Sequence, residues 1–402
     1  MGEGAVRVLA LTHRTPFPPD KGDKIRTHHL LTRLAAKAEV HLRAFAEPPS
    51  DVAHATRLAK HFASVELVPL DLRRQKVRAL PWALTLSPLT LPVFRRGAMF
   101  DAVARAVKAV RPDVIVAEST SMAPYALAHP EVPLVMDFVD ADSAKWRSYA
   151  EKASALQRAV YLREAVTLAR YERHVAGRAR VSLVTAERER ALLQAIAPGC
   201  DIRALPNGVD VEHFTARTAP PSEPSAVFFG AMDYHANAEA AALLVREALP
   251  RLRRRFPGFR VTIAGANPTP EVRALAAEPG VTVTGYVEDI RPHVQGASVC
   301  VIPLRVARGV QNKVLEAMAM GVPVVASPGA AEGIDAAPGD DLLVARVDDG
   351  GAAVADAVAA LLDDPARMAA VAASARRVVE SRYGWEPRAD ELLAICGEAA
   401  RR

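Results

Sequence analysis

The residues Ile302-Pro303-Leu304-Arg305-Val306-Ala307-Arg308-Gly309-Val310-Gln311-Asn312-Lys313-Val314-Leu315-Glu316-Ala317-Met318-Ala319-Met320-Gly321-Val322-Pro323-Val324-Val325-Ala326 read as strand, glycine loop, short helix, glycine stop and strand. Gly309 lets the main chain approach a ligand, and the free N–H groups that open the following helix suit a diphosphate. Lys313 adds a point charge there. Glu316 lies three residues on, one turn along the same side, where a carboxylate can accept from the vicinal hydroxyls of a sugar. The other reading of the pair is an ordinary αβ unit whose Lys and Glu face solvent.

Working outward, the same alternation recurs through the chain. Apolar runs at Val6–Leu11, Val40–Phe45, Val65–Leu70, Val114–Ala117, Leu134–Phe138 and Val181–Val184 are mostly separated by helical stretches rich in Ala, Leu and Arg. A break follows at Leu205-Pro206-Asn207-Gly208-Val209-Asp210 and the Pro- and Ser-rich stretch Ala219–Ser225. The alternation then restarts with Ala226–Gly230, Val261–Gly265, Val281–Gly285, Val299–Ile302, Val322–Ala326 and Leu342–Val344. Continuous apolar strands alternating with helices predict parallel sheets covered on both faces. The expected architecture is α/β: two Rossmann-like, doubly wound parallel-sheet domains facing a central cleft, with ligands beyond the carboxyl ends of the strands. The first domain spans residues 1–206 and the second residues 207–383. Residues 384–402 read as a final helix.

Composition narrows the classes. The chain has 402 residues, 50% hydrophobic and 24% charged, as expected of a folded chain with a large core. Its 51 Lys and Arg against 46 Asp and Glu leave a net charge of +5, small for this length and dispersed, so no nucleic-acid partner is expected. Cys200, Cys300 and Cys396 are odd in number and widely spaced, which argues against a disulfide framework or a zinc site and for a reducing, cytoplasmic location. No apolar run approaches the ~18 residues of a spanning helix, so any membrane contact is expected to be peripheral.

Other clusters leave two readings open. Asp20, Lys21, Asp23, Lys24 and Arg26 surround Gly22 and either meet an anionic or hydroxyl-rich substrate or form a capped, solvated first turn. His13 and Arg14 end the first strand, where such a sheet presents ligand-facing residues. Asp140-Ala141-Asp142 is a lone Asp-x-Asp, but Ser143 beside it favours a capped helix start, so no metal is expected. Arg73, Arg74, Lys76 and Arg78 precede Leu80-Pro81-Trp82-Ala83-Leu84. They suit either an anionic surface at the inner face of a membrane or a half-buried helix pair with snorkelling side chains.

Arg308 to Ala326, with Asn207-Gly208-Val209-Asp210 upstream, resembles retaining GT-B glycosyltransferases of family 4. The likeness is greatest to the PEP-CTERM/exosortase-associated sugar transferases, through Pro18-Pro19-Asp20-Lys21-Gly22-Asp23-Lys24-Ile25-Arg26, Met136-Asp137-Phe138-Val139-Asp140-Ala141-Asp142-Ser143, Gly230-Ala231-Met232-Asp233-Tyr234 and Gly265-Ala266-Asn267-Pro268. The resemblance implies transfer of a sugar, with retention, from a UDP- or GDP-linked donor to a glycan or lipid-linked acceptor, in exopolysaccharide or other cell-surface glycan synthesis. The nucleotide sugar is then a substrate, and no cofactor is implied. Glu316 would bind the ribose. The main chain of Gly309 and Val310, with Lys313, would hold the diphosphate, and Gly22 would face the same phosphates. The main chain near Gly265 and at Tyr286 and Val287 would meet the base. The first domain, completed by the final helix, would be the acceptor side, with His13, Asp20, Lys21 and Lys24 as its candidate residues.

Three positions depart from the family pattern. Arg308 stands where a second Glu is common, no Arg and Lys follow Gly230, and Asp137 replaces a His. Arg305, Arg308 or Lys313 would then neutralise the phosphates, and Lys313, Arg308 and Asp137 are the candidate catalytic residues. Two competing classes are a transfer-inactive nucleotide-sugar-binding or scaffold protein and a sugar-nucleotide hydrolase or epimerase.

Overall fold

The computed structural model describes all residues except 1–4, 20, 21, 48, 80, 83, 84, 86, 152, 308, 309 and 402. Two compact units divide the chain, one formed by Met1–Pro206 with Trp385–Arg402 and the other by Asn207–Gly384.

The first unit is built on a seven-stranded sheet of β1 (Arg7–Thr12), β2 (Glu39–Ala46), β3 (Ser64–Pro69), β4 (Val114–Glu118), β5 (Leu134–Val139), β6 (Val181–Val184) and β7 (Ile202–Ala204). The spatial order is β3-β2-β1-β4-β5-β6-β7 and every pairing is parallel. Along β1, Val8 to Leu11 are almost wholly buried, so side chains on both faces of the sheet meet helices. Leu9 and Leu11 enter one cluster with Ile115, Met136 and Tyr125, while Val8 and Ala10 enter another with Leu30, Leu34 and Val116. Each fully buried Leu, Ile or Val contributes about 1.5–3 kcal/mol, and this two-sided burial holds the sheet between its helices.

Helix α1 (Gly22–Ala35) follows β1. Beyond β5 come α2 (Asp142–Glu151) and the long α3 (Ala155–Ala176), which pack on one another.

The second unit has a six-stranded parallel sheet of β8 (Ser225–Phe229), β9 (Arg260–Ala264), β10 (Val281–Val283), β11 (Val299–Ile302), β12 (Val324–Ala326) and β13 (Leu343–Val344), in the order β10-β9-β8-β11-β12-β13. Helix α4 (His235–Leu243) follows β8 and α5 (Asn312–Ala319) joins β11 to β12. Val314, Leu315 and Met318 turn the apolar side of α5 into the core and leave Lys313 and Glu316 on its other side. Gly321, at φ +64°, stops α5 in the left-handed conformation. Its N–H bonds Met318 O and the next N–H bonds Ala317 O, the paired closure of a Schellman end.

Helix α6 (Pro365–Arg382) also packs on α5, and α7 (Trp385–Arg401) returns to the first unit against α1. Among the described residues no helix is long and apolar enough to cross a membrane.

Candidate functional site

In each sheet the strand order reverses once, between β1 and β4 and between β8 and β11. At such a switch point neighbouring crossovers leave in opposite directions and open a crevice at the carboxyl ends of the strands. Both crevices hold the chain's charged constellations.

In the second unit, the turn after β8 is shaped by two glycines. A Cβ on Gly265 would fall 1.8 Å from the Gly230 carbonyl oxygen, so the two main chains meet where no side chain fits. Both residues have positive φ, +150° at Gly230 and +146° at Gly265, a region open to glycine. The Gly230 N–H bonds Ala264 O at 3.0 Å and the Gly265 N–H bonds Gly285 O at 3.2 Å, which ties the ends of β8, β9 and β10 together. Gly265 thus sits in the wall of the crevice, with Tyr286, 77% exposed, and Val287 just after its rim glycine.

Lys313, in the first turn of α5, sends Nζ to Asn237 Oδ1 at 2.7 Å and sits 5.1 Å from the Phe228 ring centroid. Burial pulls its ammonium down to about 8 against the raising effect of Glu316. Glu316 is half-buried, and the protein around it pushes its carboxyl up to about 7, opposed by Lys313. Among the described residues the Glu316 carboxylate makes no ion pair or hydrogen bond, so its two oxygens remain acceptors for a bound molecule. A partly desolvated cation and a free carboxylate one turn apart can hold an anionic group and a hydroxyl pair side by side. Buried Cys300 on β11 lies beside them, its thiol raised by desolvation.

Arg305 stands differently from expectation. Its guanidinium is shared between Glu239 at 3.3 Å and Glu247 at 3.4 Å, so its charge is already balanced by carboxylates. Val310 packs against the core of the unit. Arg308 and Gly309 lie outside the described residues.

In the first unit, His13 bridges two carboxylates: Nδ1 lies 2.6 Å from Glu118 Oε2 and Nε2 lies 3.2 Å from Asp23 Oδ2. The two carboxylates raise the imidazole to about 10 in spite of its burial, so it stays cationic at neutral pH. Arg14 adds a bond to the same Asp23 at 2.6 Å. His13 thereby fastens the opening of α1, where Gly22 stands, to the end of β4. Neither Glu118 nor this clasp was visible in sequence, because the partners are 105 residues apart. Ser119 and Val139, just after or at the ends of β4 and β5, have φ of +71° and +67°, strained values for residues with a Cβ that cluster at this edge.

Two expectations are corrected here. Asp137 is buried and both its oxygens are taken, Oδ2 by Arg26 Nε at 2.9 Å and Oδ1 by the Val139 N–H at 3.0 Å. Arg26 also donates to Leu205 O, so Asp137 braces α1, β5 and the end of the unit instead of meeting a substrate. Lys24 is only 6% exposed, with Nζ 3.9 Å from Asp51, which removes it from the acceptor-facing surface. Asp20 and Lys21 lie outside the described residues.

Ser143 is also bound differently from a capping residue: its N–H and Oγ–H both donate to buried Glu172 of α3. Asp140 accepts from Thr185 Oγ1, and among the described residues no group of three His, Cys, Asp or Glu side chains could hold a metal ion. Arg73, Arg74, Lys76 and Arg78 lie exposed on the helix Leu72–Ala79, with Val77 67% exposed among them. Leu80, Ala83 and Leu84 lie outside the described residues.

Residues 223–364 match the family described as Glycosyl transferases group 1. The chain is 30% identical over 237 residues to the GDP-mannose-dependent alpha-(1-6)-phosphatidylinositol monomannoside mannosyltransferase of Mycobacterium tuberculosis, covering 53% of this chain and 60% of that protein. It is 30% identical over 210 residues to the phosphatidyl-myo-inositol mannosyltransferase of Mycolicibacterium smegmatis, covering 50% and 53%. The matched parts span about 53–60% of the length of these curated relatives. Among solved structures, sucrose-phosphate synthase from Thermosynechococcus elongatus superposes with a TM-score of 0.69 at 19% identity over 98% of both chains. Anabaena HepE in complex with UDP and glucose superposes with a TM-score of 0.66 at 16% identity, covering 98% of this chain and all of that one. These likenesses show the fold, GT-B, with its two Rossmann-like domains.

Proposed function

We propose that the chain is a glycosyltransferase that moves a sugar from a nucleotide-sugar donor to an acceptor hydroxyl. The observation that carries this reading is the pair Lys313 and Glu316 on α5, open at the switch point of the second sheet and within the segment that matches the group 1 family. Lys313 holds the donor diphosphate together with the N–H groups opening α5, and Glu316 accepts from the ribose hydroxyls. Val310, Gly265, Tyr286 and Val287 line the donor. Arg305 contributes only by leaving Glu239 and Glu247. The relatives that use GDP-mannose by name, and the neighbour that holds UDP and glucose, support a UDP- or GDP-linked donor.

As the sugar leaves, negative charge grows on the terminal phosphate of the nucleotide. Lys313 is placed where that charge develops and, being partly desolvated, acts in a medium of lower dielectric than water. Removing one such group costs ~3 kcal/mol, or about a hundredfold in rate. The finer reading is retention at the anomeric carbon without a required metal, in cell-surface glycan synthesis at the cytoplasmic face of a membrane. The acceptor is a glycan or lipid-linked glycan, and the exposed basic helix Leu72–Ala79 gives a peripheral contact with anionic lipid.

Transfer measured with a panel of UDP- and GDP-sugars and lipid-linked acceptors tests the reading. Lys313→Ala and Glu316→Ala are each expected to lose about a hundredfold in kcat/KM. Full activity in both variants would overturn the site. Donor consumed equally with and without acceptor would point to a hydrolase, and binding without turnover to a scaffold.

A further inference from the structure

We propose that Asn237 is a positioning residue for Lys313, holding its ammonium at the end of β8 for the donor diphosphate; this rests on the donor-site reading above. Asn237 stands in the first turn of α4 and is 5% exposed. Both ends of its amide are used: Oδ1 accepts from Lys313 Nζ at 2.7 Å, and Nδ2 donates to Ala231 O at 2.9 Å. An ammonium can only donate and a carbonyl oxygen only accept, so this amide has one orientation that satisfies both neighbours.

The surroundings are built for the pair. A Cβ on Gly230 would lie 2.8 Å from Asn237 Nδ2 and 3.1 Å from Lys313 Nζ, so glycine at the end of β8 makes the room in which the two meet. The Phe228 ring lies beneath the ammonium. Among the described residues Lys313 enters no ion pair, so its fixed position comes from a neutral partner. An amide oxygen steadies the cation without cancelling its charge, which a carboxylate at the same distance would do. The Lys313 N–H bonds not given to Asn237 remain for phosphate oxygens. The ionisable groups acting on Lys313 are Glu316 on its own helix and Cys300 on β11, while β8 and α4 present Phe228 and Asn237, which do not titrate.

The test is binding of UDP and of GDP, followed by calorimetry from about pH 7 to about pH 9. Wild-type affinity is expected to fall as Lys313 loses its proton near pH 8. Asn237→Asp puts a carboxylate against the ammonium and moves that fall upward in pH by about one unit. Asn237→Ala removes the acceptor and moves it downward, and both variants weaken binding about tenfold at pH 7.5. If the alanine variant does not fold, Asn237→Ser, whose shorter side chain misses the ammonium, is expected to move downward too. A loosened fold would not displace the two profiles in opposite directions. Profiles that coincide with wild type, or move the same way, overturn the inference. Lys313→Met separates the two readings: if it loses binding while the Asn237 variants behave as wild type, the donor site stands and the positioning role falls. If it binds both nucleotides as wild type does, the donor site itself falls.

Discussion

At the scale of single residues, the strongest constraint is a missing side chain. The Cβ that Gly265→Ala adds would overlap the Gly230 carbonyl oxygen, and a φ of +146° is strained for alanine as well. Main-chain atoms on both sides cannot yield as a flexible side chain does, so the variant is expected to lose at least ~3 kcal/mol of stability in urea unfolding. An unfolding midpoint equal to wild type would show that the two turns are not locked together. Glu316 gives a second prediction, with a sign. The folded protein holds its proton up to about pH 7, whereas an unfolded Glu releases it near 4.5. The folded state therefore binds one more proton at this site in that window, and the stability that Glu316 contributes is fully present below pH 4.5 and is lost as pH rises through 7. Glu316→Gln removes this decline, so the loss of unfolding free energy between about pH 5 and about pH 8 should shrink by about 1 kcal/mol, allowing for its partial exposure to water. A strengthened dependence would mean that the carboxylate is stabilised in the site. Lys313 and Glu316 were legible in sequence because one helical turn relates them. Asn237 was not, since 76 residues separate it from Lys313 and only the pairing of β8 with β11 brings the openings of α4 and α5 together.

Among the elements, α3 shows what a pattern of charges hides. It carries two buried carboxylates eight residues apart, Glu164 and Glu172, and each receives N–H groups at the opening of another helix. Glu172 takes the N–H and hydroxyl of Ser143 in α2. Glu164 takes the Leu89 and Thr90 N–H groups at 2.7 and 2.9 Å and the Thr90 hydroxyl at 2.8 Å, at the start of the helix Thr90–Phe94. Read along the chain, both residues look like members of a solvated face, and Ser143 looks like a cap in its own right. The caps are instead supplied from a distant helix, which no local rule could reveal. Glu164→Ala would leave two partly buried N–H groups without acceptors, each costing about 1 kcal/mol, so a total loss of about 2 kcal/mol is expected by chemical denaturation. A loss below about 0.5 kcal/mol would mean that water replaces the carboxylate at no cost. The long strands were legible for the opposite reason: burial on both faces leaves continuous apolar runs, and every such run from Val6–Leu11 to Leu342–Val344 overlaps a strand. Strand β7 escaped because it has three residues and carries Arg203 at its centre, held by Asp201 and Glu398.

For the molecule as a whole, the two sheets repeat one winding with unrelated residues, and the chain ends by returning to the unit where it began. That return is an energetic requirement of the first unit. Trp385 is 2% exposed, stacks on His29 of α1 with ring centroids 5.2 Å apart, and joins Leu392, Ile395, Cys396 and Ala399 in the cluster that contains Leu30, Leu34 and Val8. Around this apolar contact, Lys37, in the turn after α1, pairs with Glu386 at 2.8 Å and with Asp390. These exposed pairs add little each, so the apolar contact decides the outcome. Replacing a buried Trp by Ala typically costs 3–5 kcal/mol, a large part of the ~5–15 kcal/mol that holds a domain folded. Trp385→Ala is therefore expected to lower the melting transition of the first unit by about 10 °C or more in calorimetry. The transition of the second unit, identified by its rise on adding UDP or GDP, should stay where it is, because its own core between Val209 and Tyr383 is untouched. If the nucleotide-sensitive transition falls instead and the other is unmoved, the last helix stabilises the wrong unit for this account. The two cores would then have to be redrawn.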